Sequence, residues 1–347
     1  MKPERVNILY SLGRPFAPLY GAIMNVRAAL YHKNILKKTS LEVPVISVGN
    51  LTMGGTGKTP MAIYLAGLMR KKNPVVVSRG YHGTSTDKIN VVSDGNSLLM
   101  GVREAGDESY LMARALPGIP VVTGRSKRLT AEYAVRHFNP GLVIVDDGFQ
   151  HLGLARDLNM VMFKVDTLLG NNRVFPAGDM REPLKALERA DCFVLNCVDD
   201  ENRQKAEAIE KALNKRFPEI PVFKTAYRPT GVVDQNGRGS AVAEVKGKKC
   251  FGFCGLADPS YFQRVLEDSG MELAGVQTYP DHHFYSEKDL EEIAITAQAA
   301  GAELLVTTAK DMVKLQDCRS FLPVVSVQME LVPFEGLADF IRERISA

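Results

Sequence analysis

Residues 49–60 read GNLTMGGTGKTP, and they follow the apolar run VPVISV at 43–48. A strand, a glycine-rich turn and a helix in that order make a cradle for phosphate. Glycine lets main-chain N–H groups converge without Cβ clashes, and the helix N-terminus adds positive partial charge. Gly54, Gly55, Thr56 and Gly57 supply the turn, Lys58 is placed to reach β- and γ-phosphates, and the Thr59 hydroxyl suits Mg²⁺. Pro60 is tolerated in a first helical turn. The pattern G-x-x-x-x-G-K-[ST] fails only at its first position, where Thr52 stands in place of glycine.

Such a loop demands an α/β sheet, and the flanking sequence provides one. PVVVS (74–78), IPVVTG (119–124), GLVIVDD (141–147) and NMVMFK (159–164) read as buried strands. MAIYLAGLMR (61–70), DESYLMARAL (107–116) and SKRLTAEYAVRH (126–137) read as helices between them. Continuous apolar strands alternating with helices predict a largely parallel sheet covered on both faces. The strand at 142–146 runs into paired aspartates, the form of a Walker-B strand, so Asp146 or Asp147 is expected to hold Mg²⁺ directly or through water.

Residues 165–190 break this rhythm with Gly170, Pro176, Gly178 and Pro183 and carry Arg173, Arg181 and Arg189. A second alternation follows. Strands are expected at 191–198, 220–227, 249–255, 303–311 and 322–328, helices at 201–217, 260–270 and 287–301, and a hairpin at 229–248. The expected organisation is a head at 1–40, a P-loop domain at 41–165 and a second, smaller α/β domain at 166–347, with the seam near 165–190.

The head is distinct in charge. Residues 1–41 hold seven lysines and arginines against Glu4, a net +6, whereas the 347-residue chain carries +3 in all, leaving −3 for the rest. A basic head on a mildly acidic body argues against nucleic-acid binding and for an anionic membrane surface. From Phe16 to Tyr31 the chain is largely apolar, but Asn25 and Arg27 interrupt it, and a bilayer span needs about 20 apolar residues. Leu19, Ile23, Val26 and Leu30 fall on one helical stripe. An amphipathic helix lying in the membrane interface is expected. The five cysteines form no C-x-x-C pair and point to a reducing cytosol rather than to disulfides or zinc.

A γ-phosphate passed to an alcohol needs a base for the hydroxyl proton. GDES (106–109) offers Asp107 and Glu108, and YPDHHF (279–284) offers Asp281, His282 and His283. A carboxylate oriented by a histidine across an interdomain cleft would serve. Arginines of GNNRVFPAGDMREPL (170–184) are candidates for anionic groups. SRGYHG (78–83) sits just past a strand's carboxyl end, where such sheets bind ligands.

SVGNLTMGGTGKTP, SRGYHG, GDES, VDDGFQH, FPAGDMREPL, CGLADPSYF (254–262), YPDHHFYS and TTAKDMVKL (307–315), in this order, resemble the tetraacyldisaccharide 4′-kinase family of lipid A synthesis. The family's own loop shares the Thr52 type of departure. The resemblance implies ATP-dependent phosphorylation of the 4′-hydroxyl of an acylated disaccharide lipid at the cytoplasmic face of a Gram-negative inner membrane. It implies two α/β/α domains joined by a two-stranded linker, a membrane-associated N-terminal helix and a monomer. By the same resemblance Thr52, Gly54, Gly55, Thr56, Gly57, Lys58 and Thr59 contact the nucleotide, and Thr59, Glu108, Asp146 and Asp147 lie at Mg²⁺. Asp107 is the base, and His282, or its neighbour His283, orients it. Arg181, Tyr81, His82, Gln150 and His151 line the substrate site. Three rivals remain on sequence: a membrane-associated partitioning ATPase, which needs no acceptor base; a kinase of soluble small molecules, which needs no basic amphipathic head; and a binding module whose loop holds an anion and performs no chemistry.

Overall fold

In the computed structural model, residues 10–256, 259–315 and 318–346 are described. β1 (Val45–Gly49) and β2 (Pro74–Ser78) are buried along their whole length, as strands covered on both faces must be. β3 (Ile89–Ser93) is only partly buried, whereas β4 (Val121–Gly124), β5 (Leu142–Asp146), β6 (Leu158–Lys164) and β7 (Cys192–Asn196) are buried throughout. The chain continues through β8 (Val222–Asp234), the short β9 (Gly239–Ser240), β10 (Lys249–Cys254), β11 (Glu272–Thr278), β12 (Leu304–Thr308) and β13 (Val324–Pro333).

These strands form one mixed, mostly parallel sheet in the order β11-β10-β12-β13-β8-β7-β6-β1-β5-β2-β4-β3, with β9 paired to β8. The antiparallel exceptions are β3 on β4, β13 on β8 and β9 on β8. Residues 165–190 are largely loop, as the glycines and prolines predict. They do not interrupt the sheet, because β6 and β7 on either side of them are parallel neighbours from Met160–Cys192 to Lys164–Asn196. The sheet changes character at β8 instead. Val222 to Lys224 pair in parallel with β7, and Thr225 to Asp234 pair antiparallel with β13. The ladder between β8 and β13 shifts register beside Pro229, which has no N–H to donate.

The segments expected as a strand at 220–227 and part of a hairpin at 229–248 are thus one long strand, with the hairpin closing onto β9. Strands β3 and β11 escaped the sequence reading. They are the two edges of the sheet, and β11 has no fully buried residue, so neither carries the continuous apolar run that marks a covered strand. The C-terminal helix Leu337–Ser346 also escaped, although Leu337, Ile341 and Ile345 repeat every four residues and are buried.

The helix Ala17–His32 buries only Gly21. Leu19, Ile23 and Val26 are 63%, 55% and 58% exposed, so the apolar stripe faces outward rather than into the core. Its inner face is tied to two loops: Tyr20 Oη donates to the Arg181 main-chain oxygen at 3.2 Å, and Arg27 Nη2 donates to that of Gln150 at 3.2 Å. Among the described residues no helix is long and apolar enough to cross a membrane.

Candidate active site

The loop after β1 takes the shape its glycines require. Gly54 and Gly57 have φ of +118° and +88°, and the helix Lys58–Leu68 begins directly after Gly57 with no side chain capping it and no acid in its first turn. Its free N–H groups are therefore available to an anion. Thr52 explains its own departure from the pattern. It lies in an extended bridge to Met180, flanked by Arg181 N to Leu51 O at 2.7 Å and Met53 N to Asp179 O at 2.8 Å. That backbone has no positive φ and needs no glycine.

Arg181 is delivered to the loop by this pairing. Its Nη1 donates to both oxygens of Asp147 at 2.9 and 2.8 Å, and Lys58 Nζ lies 3.7 Å from the same carboxylate. Burial would raise the Asp147 pKa, but Lys58 and Arg181 outweigh it and hold the group at about 2. Asp146 behaves oppositely. It is 2% exposed, and burial, with the charges of Glu108 and Asp147, pushes it up to about 6 despite Lys127. Its Oδ2 accepts from Thr59 Oγ1 at 3.3 Å and Ser78 Oγ at 3.4 Å, while Oδ1 is buried with no hydrogen-bond partner.

Lys127 was not expected here. It opens the helix Lys127–Phe138, is 1% exposed and donates from Nζ to the Asp146 main-chain oxygen at 2.6 Å. Burial pulls its pKa down to about 8, against the opposing pull of Asp146 and Asp147. Between Arg125 and Arg128 in sequence it looks like an ordinary solvated helix start, and no local signal marks it.

Asp107 begins the helix Asp107–Ala115, after Gly106 at φ +83°, where a Cβ would collide with the Tyr81 main-chain oxygen. Its carboxylate is 1% exposed yet meets His282 Nδ1 at 2.9 and 3.0 Å, Lys310 Nζ at 3.9 Å and Lys314 Nζ at 3.9 Å. Burial would raise its pKa. The His282 hydrogen bond and the charges of Lys310, His282 and Lys314 win, holding it below the ordinary carboxylate range. An ionised carboxylate only accepts, so His282 Nδ1 carries the hydrogen.

His283 turns elsewhere, 3.3 Å from Asp289 and stacked on Tyr279. The histidine that meets Asp107 is therefore His282. Lys310 also reaches Asp281 at 3.0 Å and Glu108 at 3.7 Å, and Lys314 is fully buried against Asp311 at 2.7 Å. Both lysines lie in the TTAKDMVKL stretch, where nothing local distinguishes them from solvated lysines.

The remaining candidates have different engagements. His82 packs on His282 with ring centroids 4.1 Å apart. Tyr81 is bound by Arg79, whose Nη1 donates to its hydroxyl at 3.1 Å. Gln150 Nε2 donates to the Asn50 main-chain oxygen at 2.9 Å, a support for the phosphate loop. His151 is lowered to about 4 by burial and by Lys127, so it is neutral at pH 7 and offers hydrogen bonds rather than charge.

The family model for tetraacyldisaccharide-1-P 4′-kinase matches residues 9–346. A tetraacyldisaccharide 4′-kinase of Desulfotalea psychrophila is 42% identical over 327 residues, 94% of this chain and 93% of that one. One of Syntrophus aciditrophicus is 37% identical over 341 residues, covering 94% and 91%. The crystal structure of LpxK from Aquifex aeolicus in complex with ATP superposes with a TM-score of 0.78 at 34% identity, over 97% of this chain and 99% of that one.

The contrast between the two aspartates yields a test. Lys127 lowers the Asp146 pKa, so Lys127→Met should move Asp146 titration upward from about 6. Carboxyl ¹³C NMR against pH reads this directly, and an unmoved midpoint contradicts the assigned role.

Proposed function

This chain belongs to the tetraacyldisaccharide-1-P 4′-kinase family, and we propose that its phosphate loop and its Asp107–His282 pair are the two ends of one phosphoryl transfer. The protein is an ATP-dependent kinase that moves the γ-phosphate to the 4′-hydroxyl of a tetraacylated glucosamine disaccharide 1-phosphate in lipid A synthesis. The observation that carries the mechanism is a buried carboxylate kept charged by His282, Lys310 and Lys314.

Lys58 and the uncapped N-terminus of the helix Lys58–Leu68 hold the phosphate chain, and Arg181, braced on Asp147, adds a fixed positive group beside it. Asp107 accepts the 4′-hydroxyl proton as the oxygen attacks. His282 keeps Nδ1–H on Asp107, fixing the carboxylate's direction and spreading its charge. Tyr81 and His82, beside His282, line the approach of the sugar, with Gln150 and His151 on the loop side.

Mg²⁺ fits the residues present. Asp146 Oδ1 is a buried carboxylate oxygen without a partner, and the Thr59 hydroxyl sits at the other oxygen of the same group. Thr59 and Asp146 would hold the ion, with Glu108 facing it, while Asp147 is already committed to Arg181 and Lys58. No three His, Cys, Asp or Glu side chains among the described residues converge as a metal site, which suits an ion that completes its shell with water and substrate phosphates. When bound it neutralises charge on the β- and γ-phosphates.

The outward stripe of Leu19, Ile23 and Val26 sits between Arg14 and the lysines at 33, 37 and 38, and the exposed Leu12 and Phe16 extend it. On our reading the helix Ala17–His32 lies in the cytoplasmic face of the inner membrane, leaving the substrate's acyl chains in the bilayer. The two halves of the sheet act as two α/β domains joined by β8 and β13. One chain supplies every group named, so a monomer suffices.

Asp107→Ala is expected to cut kcat about 10²-fold or more with ATP affinity near normal, and wild-type turnover in that variant would remove Asp107 as the base. Separately, replacing Leu19 and Ile23 together by serine should release the protein from anionic vesicles while leaving ATP affinity unchanged. Retained vesicle binding would place the membrane contact elsewhere.

A further inference from the structure

Asn196 ends β7 and has no exposed surface. Its side-chain amide touches the phosphate loop across 140 residues of sequence. Nδ2 donates to the Thr56 main-chain oxygen at 2.9 Å and to Tyr227 Oη at 3.2 Å, while Oδ1 accepts from Thr225 Oγ1 at 2.8 Å. A main-chain carbonyl only accepts, so the amide nitrogen must be the atom facing Thr56. The amide is fully engaged and has one orientation.

That orientation decides which way the loop faces. In a trans peptide the C=O and N–H point to opposite sides. With the Thr56 oxygen held on Asn196, the Gly57 N–H is turned away from β7. Gly57 sits at φ +88°, and a Cβ there would collide with Asn196 Nδ2 and Tyr227 Oη. The loop therefore rests directly on this amide, with no side chain between them.

We propose that Asn196 is a positioning residue for ATP: it fixes the Thr56–Gly57 peptide so that its N–H faces the phosphate chain. The proposal rests on the nucleotide-binding reading of the loop. It also explains why the partners of Asn196 lie on β8. Thr225 and Tyr227 begin the stretch of β8 that pairs with β13, and Tyr227 meets the ring of Tyr261 edge-on at 6.1 Å. The loop is thereby braced by the strand that carries the second half of the sheet.

Asn196→Asp keeps the volume but sets a carboxylate oxygen against the Thr56 carbonyl. In the full chain, its Kd for Mg²⁺-ATP by calorimetry and its KM for ATP should both rise about tenfold, the worth of one hydrogen bond. KM for the lipid should stay within about twofold. Tyr227→Phe leaves the Asn196–Thr56 bond in place and should change ATP affinity by less than about threefold. If Asn196→Asp does not fold, Asn196→Ser, too short to reach Thr56, carries the same expectation. A folded Asp or Ser variant that binds ATP as tightly as wild type overturns the proposal, as does a parallel rise in both KM values. Failure of the wild-type protein to bind ATP would instead remove the nucleotide-binding reading beneath it.

Discussion

A carboxylate out of contact with water loses its charge unless cations or hydrogen-bond donors replace the lost hydration. Asp107 meets that constraint with groups from far along the chain. The helix that carries it belongs to the first half of the sheet. His282 follows β11, and Lys310 and Lys314 follow β12, in the second half. Asp107 keeps its charge only when the two halves of the sheet stand against each other, because His282, Lys310 and Lys314 all come from the second half. Parallel strands serve this purpose, because their carboxyl ends open together. Gly49, Ser78, Asp146 and Asn196 end strands on one side of the junction, and Thr278 and Thr308 end strands on the other.

The acid pair at the end of β5 shows how neighbouring identical residues acquire different jobs. Asp147 is met by Arg181 and Lys58 and held at about 2, which makes it a permanent anion bracing two cations. Asp146, one residue earlier, is buried with an unpartnered oxygen and rises to about 6. Lys127 restrains that rise at the cost of burying its own ammonium. On the proposed reading, a divalent cation beside Thr59 would relieve the electrostatic deficit this arrangement leaves.

Sequence exposed much of this, for physical reasons that can be named. The phosphate loop was legible because φ above zero restricts Gly54 and Gly57 to glycine, and the covered strands were legible because burial on both faces forces continuous apolar runs. Edge strands β3 and β11 carry no such demand and were missed. The pairing of Asp107 with a histidine was conceivable from composition, but the choice between His282 and His283 required the turn that sends His283 to Asp289. Lys127, Lys310, Lys314 and Asn196 stayed hidden. Lysines and a strand-end asparagine are normally solvated, and only long-range packing buries Lys127, Lys314 and Asn196 and draws Lys310 onto the carboxylates. The division near 165–190 was drawn at the strongest local break in pattern, whereas the sheet changes direction at β8, where the sequence is still strand-like.

The proposed mechanism makes Asp107 and His282 one unit, joined by the His282 Nδ1 hydrogen bond. A double-mutant cycle on phosphoryl transfer tests it most directly. Turnover would be measured as labelled lipid formed from γ-labelled ATP by Asp107→Ala, His282→Ala and the double variant. The double variant is expected to be no slower than Asp107→Ala alone, because His282 acts through that carboxylate. Losses that multiply would mean that the two side chains act independently, and would contradict the account.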